Sequence, residues 1–388
     1  MPPAQRHPTW HQSYAERSEQ ANLSPLATYL LRLIHVKRTN LCVSADVNTT
    51  TELLQVAEDV GDHICVLKTH ADIIDDFGDK TIRGLNEIAR RKKFLVFEDR
   101  KFGDIGSTLQ QQYTRGPLAI VRWASIVNAA LFPGPAVITA LAEAAQKAIT
   151  AHNTSVQTDI SASPAVSVVD SGRDDDDSVD ADDDGDDDDN DREVREDQPH
   201  DERKGRKQSV VSVSTTISTK TEAISPQPRL KPTLSRGSTE EEDEEEDDDP
   251  EAQLAELGPP PYFRSLLLLA QMSSADNLFT AEYTQQCVHH ARKNKDFVMG
   301  FIAQQSLNAE KDDNFITMTP GVQLSAGGDG LGQQYNTPRK VIGDGGSDII
   351  IVGRGILKAE DRRRAALEYR KQGWVAYEER LRSGRKKR

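Results

Sequence analysis

Short, apolar, β-branched runs recur along the chain at a steady beat. They read LCVSADV (41–47), HICVLKT (63–69), FLVFEDR (94–100), SIVNAA (125–130), SLLLLAQM (265–272), FVMGFIAQ (297–304), FITMTPGV (315–322) and DIIIVGRG (348–355). Between most of them lie segments with helical periodicity, such as TTELLQVAEDVG, GPAVITALAEAAQKA and TAEYTQQCVHHARKN. Strands that are apolar at consecutive positions are covered on both faces, and intervening helices make their sheet parallel. Eight such units predict an α/β fold, a (β/α)8 TIM barrel. An open doubly wound sheet is the structural alternative.

One segment breaks the beat. From Asp174 the chain reads DDDDSVDADDDGDDDDNDREVRED, and from Glu240 it reads EEEDEEEDDD. Such acidic blocks repel themselves and bury no apolar area, so residues 151–260 are expected to be a disordered insertion. It falls between the fourth helix and the fifth strand, on the barrel face opposite the βα loops that carry active sites. The single barrel would then comprise 1–150 and 261–388, with 1–24 a loose leading segment.

Charge changes its meaning once the insertion is set aside. The insertion's 33 acidic and 11 basic side chains give it −22, so a chain of −15 overall leaves +7 for the remainder. A mildly basic barrel suits an anionic ligand, although a solvated surface with a slight Lys/Arg excess reads the same. The three cysteines, Cys42, Cys65 and Cys287, have no metal-ligand or CxxC spacing and read as buried free thiols. No apolar leader and no run long enough to span a bilayer is visible, so a cytoplasmic protein with no membrane partner is expected. The basic end, RLRSGRKKR (380–388), reads as a solvated tail.

Polar residues cluster at the C-terminal ends of the expected strands: Asp46, Lys68, Asp99, Lys101, Ser273, Thr319 and Arg354. A collection at one end is what a barrel active site requires. In FEDRKFGDIGST (97–108), period-two alternation puts Phe97, Asp99 and Lys101 on one face and Glu98 and Arg100 on the other. The second pair is then expected to face away from the barrel axis, solvated or paired. Asp104 follows at the turn, and Lys68 on the neighbouring strand completes two lysines and two aspartates. For an isolated Asp-x-Lys, a structural ion pair is an equal reading; Lys68 tips the balance towards chemistry. GGDGLGQQY (327–335) and IIIVGRG (349–355) follow strands seven and eight, where barrels bind phosphate. Glycines let backbone N–H groups approach an anion, and the fork of Arg354 matches one. His70, His289 and His290 lack ligand partners at suitable spacing, so no metal is expected.

Together these residues resemble the fungal orotidine 5′-phosphate decarboxylase family. The resemblance runs from about Asn40 to Tyr377 on both sides of the insertion. It rests on LCVSADVNTT, ICVLKTHADI, FLVFEDRKFGDIGST, FVMGFIAQ, MTPGVQL, GDGLGQQY and IIIVGRG, with Asp99-x-Lys101-x-x-Asp104 as the catalytic signature. It implies decarboxylation of orotidine 5′-phosphate to UMP, the last step of UMP synthesis, without cofactor or metal. It also implies a homodimer with shared sites and no nucleic-acid partner. Lys101 would protonate C6 as CO2 leaves, and Asp99 would hold that lysine and crowd the substrate carboxylate. Lys68 would join the charge network, and Asp46 would bind the ribose. Asp104 and Thr108 would reach the partner's site. Ser273 would read the pyrimidine edge beside Pro320, and Gln333, Tyr335 and Arg354 would hold the phosphate. Thr69, His70 and Gly353 complete the implied substrate contacts. Gln271, Gly103 and the NAALF stretch (128–132) depart from the family's usual text. Two alternatives stay open: a magnesium-dependent phosphosugar aldolase of the same suprafamily, and a non-catalytic acidic protein that binds basic partners.

Overall fold

The structure is a computed structural model, and it describes residues 6–154, 156–162, 213–219, 250–325, 327–328 and 334–385. Eight parallel strands close into a barrel: β1 (Leu41–Ala45), β2 (Val66–Thr69), β3 (Leu95–Phe102), β4 (Ile126–Ala129), β5 (Ser265–Leu269), β6 (Val298–Ile302), β7 (Ile316–Thr319) and β8 (Ile349–Val352). Each expected apolar run supplies one strand, and β8 pairs with β1 to close the ring. Seven of the eight strands are buried along their whole length, because helices cover the outside while side chains fill the inside. Only β3 surfaces, at its charged C-terminal half. Where β6 passes β7 the backbones touch: a Cβ at Gly300 would lie 1.8 Å from the Ile316 carbonyl oxygen, so no other residue fits there.

The helices begin where local chemistry tells them to. Ser24 caps the helix Pro25–Lys37 through the Ala27 N–H, with proline in its first turn. Thr49 and Thr280 cap the helices Thr50–Val60 and Ala281–Lys293 in the same way. Lys37, at the end of its helix, donates to the carbonyls of Gly61, Ile64, Lys92 and Lys93 at 2.7–2.8 Å. Burial pulls the Lys37 pKa down to about 7, and its three N–H groups are shared among these carbonyls, including those at the ends of two neighbouring helices.

The leading segment differs from the expected loose one. Tyr14 and Arg17 are buried, and the Tyr14 hydroxyl donates to the Asp348 carbonyl at 2.7 Å. Arg17 pairs with the Asp348 carboxylate and donates to Asn314 Oδ1 at 2.8 Å. A Ser13–Glu16 capping box starts the short helix that carries both side chains. The residues before β8 and β7 therefore hold this segment by charge as well as by burial.

The chain divides into two compact units, 1–153 with 223–388, and Thr154–Glu222. The barrel text resumes earlier than expected. Helix Pro250–Leu257 packs against Pro25–Lys37, and Leu254 and Leu257 lie against the core. In the second unit Val156–Ala162 pairs antiparallel with Val213–Thr219. These strands depart from the expected disorder because VQTDISA and VSTTIST are rich in β-branched residues and free of acidic blocks. The acidic tracts on which that expectation mainly rested lie outside the described residues. The insertion leaves after Ala136–Asn153 and returns at Pro250, in a helix-to-strand connection. Replacing 155–249 with a short Gly/Ser linker is expected to leave turnover within about twofold, since loop length costs little closure entropy. Steady-state kinetics of the deleted protein check this.

Candidate active site

The C-terminal ends of the strands surround a cavity of about 230 Å³. Its polar lining includes Asp46, Lys68, Asp99, Lys101, Ser273, Tyr335 and Arg354, with Pro320 and Gly353 alongside. Leu269, Ile302 and Ile351 add apolar surface from three strands.

Asp99 is the centre of the charge network. Lys68 Nζ donates to Asp99 Oδ2 at 2.8 Å, and Lys101 Nζ lies 2.8 Å from Oδ1. Asn128 Nδ2 donates to the same Oδ1 at 2.7 Å, while Asn128 Oδ1 accepts from the Lys101 N–H at 2.7 Å. Burial alone would push the Asp99 carboxyl up, but Lys68 and Lys101 outweigh it and hold the group well below the usual carboxylate range. Burial pulls Lys68 down, yet Asp99 and Asp46 raise it overall, so it stays an ammonium. Both oxygens of Asp99 are thus occupied by cationic or amide donors.

The alternation read from the sequence brings Asp99 and Lys101 together by a less regular route. The β3–β4 register shifts between Glu98 and Phe102, and Lys101 has φ of 50°. A bulge re-aims a side chain in this way, and here it lets Lys101 bend back over Asp99. Asn128 holds the bulge by its amide. Asn128 was missed as a functional residue, although a polar side chain near the end of an apolar strand was the available signal.

His70 Nε2 lies 2.8 Å from Lys68 Nζ and 3.4 Å from Asp99 Oδ2. An ammonium only donates, so this contact makes Nε2 an acceptor and puts the ring proton on Nδ1. Burial, and then the Lys68 charge, lower the His70 pKa and keep the ring neutral. Asp46 accepts from Ser44 Oγ at 2.7 Å and lies 3.8 Å from Lys68 Nζ. Arg354 sits over the Tyr335 ring at 5.5 Å, at the end of the cavity reached from β8. Ser273 is nearly buried at the β5 end.

Three expected residues lie elsewhere. Asp104 turns onto its own segment, accepting from the Ile105 N–H and Gln112 Nε2, both at 2.8 Å. Thr108 is exposed on the helix Gly106–Thr114, and neither it nor Asp104 lines the cavity. Thr69 is buried with its hydroxyl directed to Glu98. Gln333 lies outside the described residues.

Glu98 stays out of the cavity, as its expected face requires, but it is not solvated. It is fully buried and accepts from Thr69 Oγ1 at 2.6 Å and from the Ala71 N–H at 3.0 and 3.1 Å. Arg100 is half-buried, its guanidinium 5.7 Å from the Phe102 ring. Burial pushes the Glu98 carboxyl up from 4.5 to about 7. A raised native pKa contributes stability that is complete below 4.5 and lost as pH rises through about 7. Relative to Glu98→Gln, the parent is therefore expected to lose thermal stability across that window, a difference read from melting curves at several pH values.

The chain matches the family model described as orotidine 5′-phosphate decarboxylase / HUMPS family over residues 39–200 and 229–369. It is 48% identical to the orotidine 5′-phosphate decarboxylase of Aureobasidium pullulans, over 96% of each chain. It is 44% identical to the enzyme of that name from Hypocrea atroviridis, over 97% of this chain and 99% of the other. A uridine 5′-monophosphate synthase of Bos taurus matches at 33% identity over 95% of this chain and 53% of its own length. Matches on both sides of the insertion include every strand of the barrel, and the chain belongs to the orotidine 5′-phosphate decarboxylase / HUMPS family.

Proposed function

We propose that this chain decarboxylates orotidine 5′-phosphate to UMP and CO2, the final step of UMP synthesis. The observation that carries the reading is the Asp99 carboxylate held between Lys68 and Lys101 at 2.8 Å each, in a cavity whose lining also includes Arg354. Decarboxylation leaves an electron pair at C6 of the pyrimidine. Lys101 stabilises that developing charge and donates its Nζ proton to C6 as the bond to CO2 breaks; solvent then restores the proton. A cation already in place costs no reorganisation during the reaction. Asp99 holds Lys101 and opposes the substrate carboxylate: two like charges at 4 Å cost roughly 4 kcal/mol at an effective dielectric of 20. Loss of CO2 removes that repulsion.

The other roles follow the lining. Asp46 and Lys68 take the ribose hydroxyls, Ser273 reads the pyrimidine edge, and Pro320 and Gly353 pack against it. Arg354 and Tyr335 take the phosphate, with Gln333. Phosphate contacts far from C6 supply binding energy that is realised at the ring. Arg354→Ala is therefore expected to lower kcat/KM by about 10–100-fold, the value of a charge-assisted hydrogen bond. Excess phosphite dianion with the truncated nucleoside checks whether the lost term is the phosphate's.

Thr108 is exposed and Asp104 half-buried, and neither lines this chain's own cavity, which supports a homodimer in which they complete the partner's. Sedimentation measures that state directly. Three buried free thiols support a reducing, cytoplasmic setting. Among the described residues no helix is long and apolar enough to cross a membrane. The function is tested by adding orotidine 5′-phosphate to the purified protein in EDTA. Conversion to UMP supports the metal-free reading; activity only with added magnesium sinks it.

A further inference from the structure

We propose that Glu98 is a positioning residue for the Lys68–Asp99–Lys101 network, acting through the turn that carries His70. The inference rests on the decarboxylase reading and extends it to a residue outside the cavity. Glu98 follows Leu95, Val96 and Phe97, all buried and apolar. A leucine there would pack without desolvating a carboxyl, so burial of an ionisable group calls for a compensating use. Its oxygens take the Thr69 hydroxyl at 2.6 Å and the Ala71 N–H at 3.0 and 3.1 Å. The residue between those two is His70, whose Nε2 meets Lys68 Nζ at 2.8 Å.

Adjacent residues of β3 thus grip the end of β2 from two sides. Asp99 takes Lys68 directly; Glu98 holds the side chain before and the backbone N–H after the imidazole that also contacts Lys68. Of the charges that act on Glu98, Asp72 opposes its ionisation and Lys68 favours it. Burial outweighs these hydrogen bonds and pushes the carboxyl's pKa up, a cost to its ionised form. Groups kept at such a cost concentrate at functional sites.

A double-mutant cycle separates positioning from mere packing. Glu98→Leu is expected to lower kcat by about 100-fold in protein that remains folded by circular dichroism, the effect of a misplacement near 1 Å. Glu98→Gln, which keeps an acceptor for Ala71, restores most of that loss. The double variant Glu98→Leu, His70→Ala falls no lower than the worse single variant. Additive losses, or full kcat in folded Glu98→Leu, overturn the inference while parent activity keeps the decarboxylase reading intact. Should Glu98→Leu not fold, Glu98→Asp carries the same cycle, being one methylene too short to reach Ala71. A readout without turnover stands beside it: side-chain 15N shifts of His70 report the Nδ1–H tautomer in the parent. They are expected to move towards a tautomer mixture in Glu98→Leu, and unchanged shifts overturn the inference whatever the parent's activity.

Discussion

Replacing Lys101 with alanine is expected to abolish decarboxylation and leave the barrel folded. The loss should reach about 10⁴-fold in kcat/KM or more, since the substitution removes both the proton donor and the placed cation. The fold should survive because the Lys101 side chain is 40% exposed and packs no core. Asp99 would keep Lys68 and the Asn128 amide as partners. Its non-glycine backbone at φ 50° is no worse for alanine than for lysine. Circular dichroism and melting curves alongside the kinetics check both halves. A variant that is inactive because it is unfolded would not support the assigned role.

Asp99→Ala is expected to cost activity and stability together. The Asp99 side chain is 12% exposed, and its removal strands a Lys68 ammonium that is 8% exposed, with Asp46 3.8 Å away and His70 as its remaining contacts. Breaking a buried pair from one side costs about 3–5 kcal/mol, against little for Lys101→Ala. The contrast also has a pH signature. Asp99 has a depressed native pKa, so its contribution to stability is present above the ordinary value of 3.8 and lost as pH falls towards the native one. The stability gap between parent and Asp99→Ala should therefore narrow in acid. Denaturant titrations at pH 7 and near pH 3 measure it, and an unchanged gap would contradict the pairing.

The barrel was legible in the sequence because each strand is apolar on both faces. That pattern is distinctive when helical segments separate the runs. The cluster of Asp99, Lys101 and Lys68 was legible for a related reason, since charges at the end of a buried strand are costly unless used. Glu98 was misread because alternation assigns a face and says nothing of what waits there. The β2 end, with the Thr69 hydroxyl and the Ala71 N–H, makes that face an interior polar pocket. The bulge that aims Lys101 was invisible for a similar reason, as its cause is Asn128 on the next strand. Tyr14 and Arg17 looked like part of a polar leader until Asp348 and Asn314, more than 290 positions away, came into contact with them. In each case a partner distant in sequence decided the outcome, and local pattern carries no record of it.

In the proposed reaction a metal-free Lys–Asp network protonates C6 as CO2 departs. The direct test is turnover of orotidine 5′-phosphate by the purified protein in D2O with EDTA, followed by mass spectrometry and NMR of the product. UMP carrying one deuterium at C6 is expected from the parent and not from Lys101→Ala. Unconverted substrate with the parent, or equal labelled product from Lys101→Ala, would contradict it.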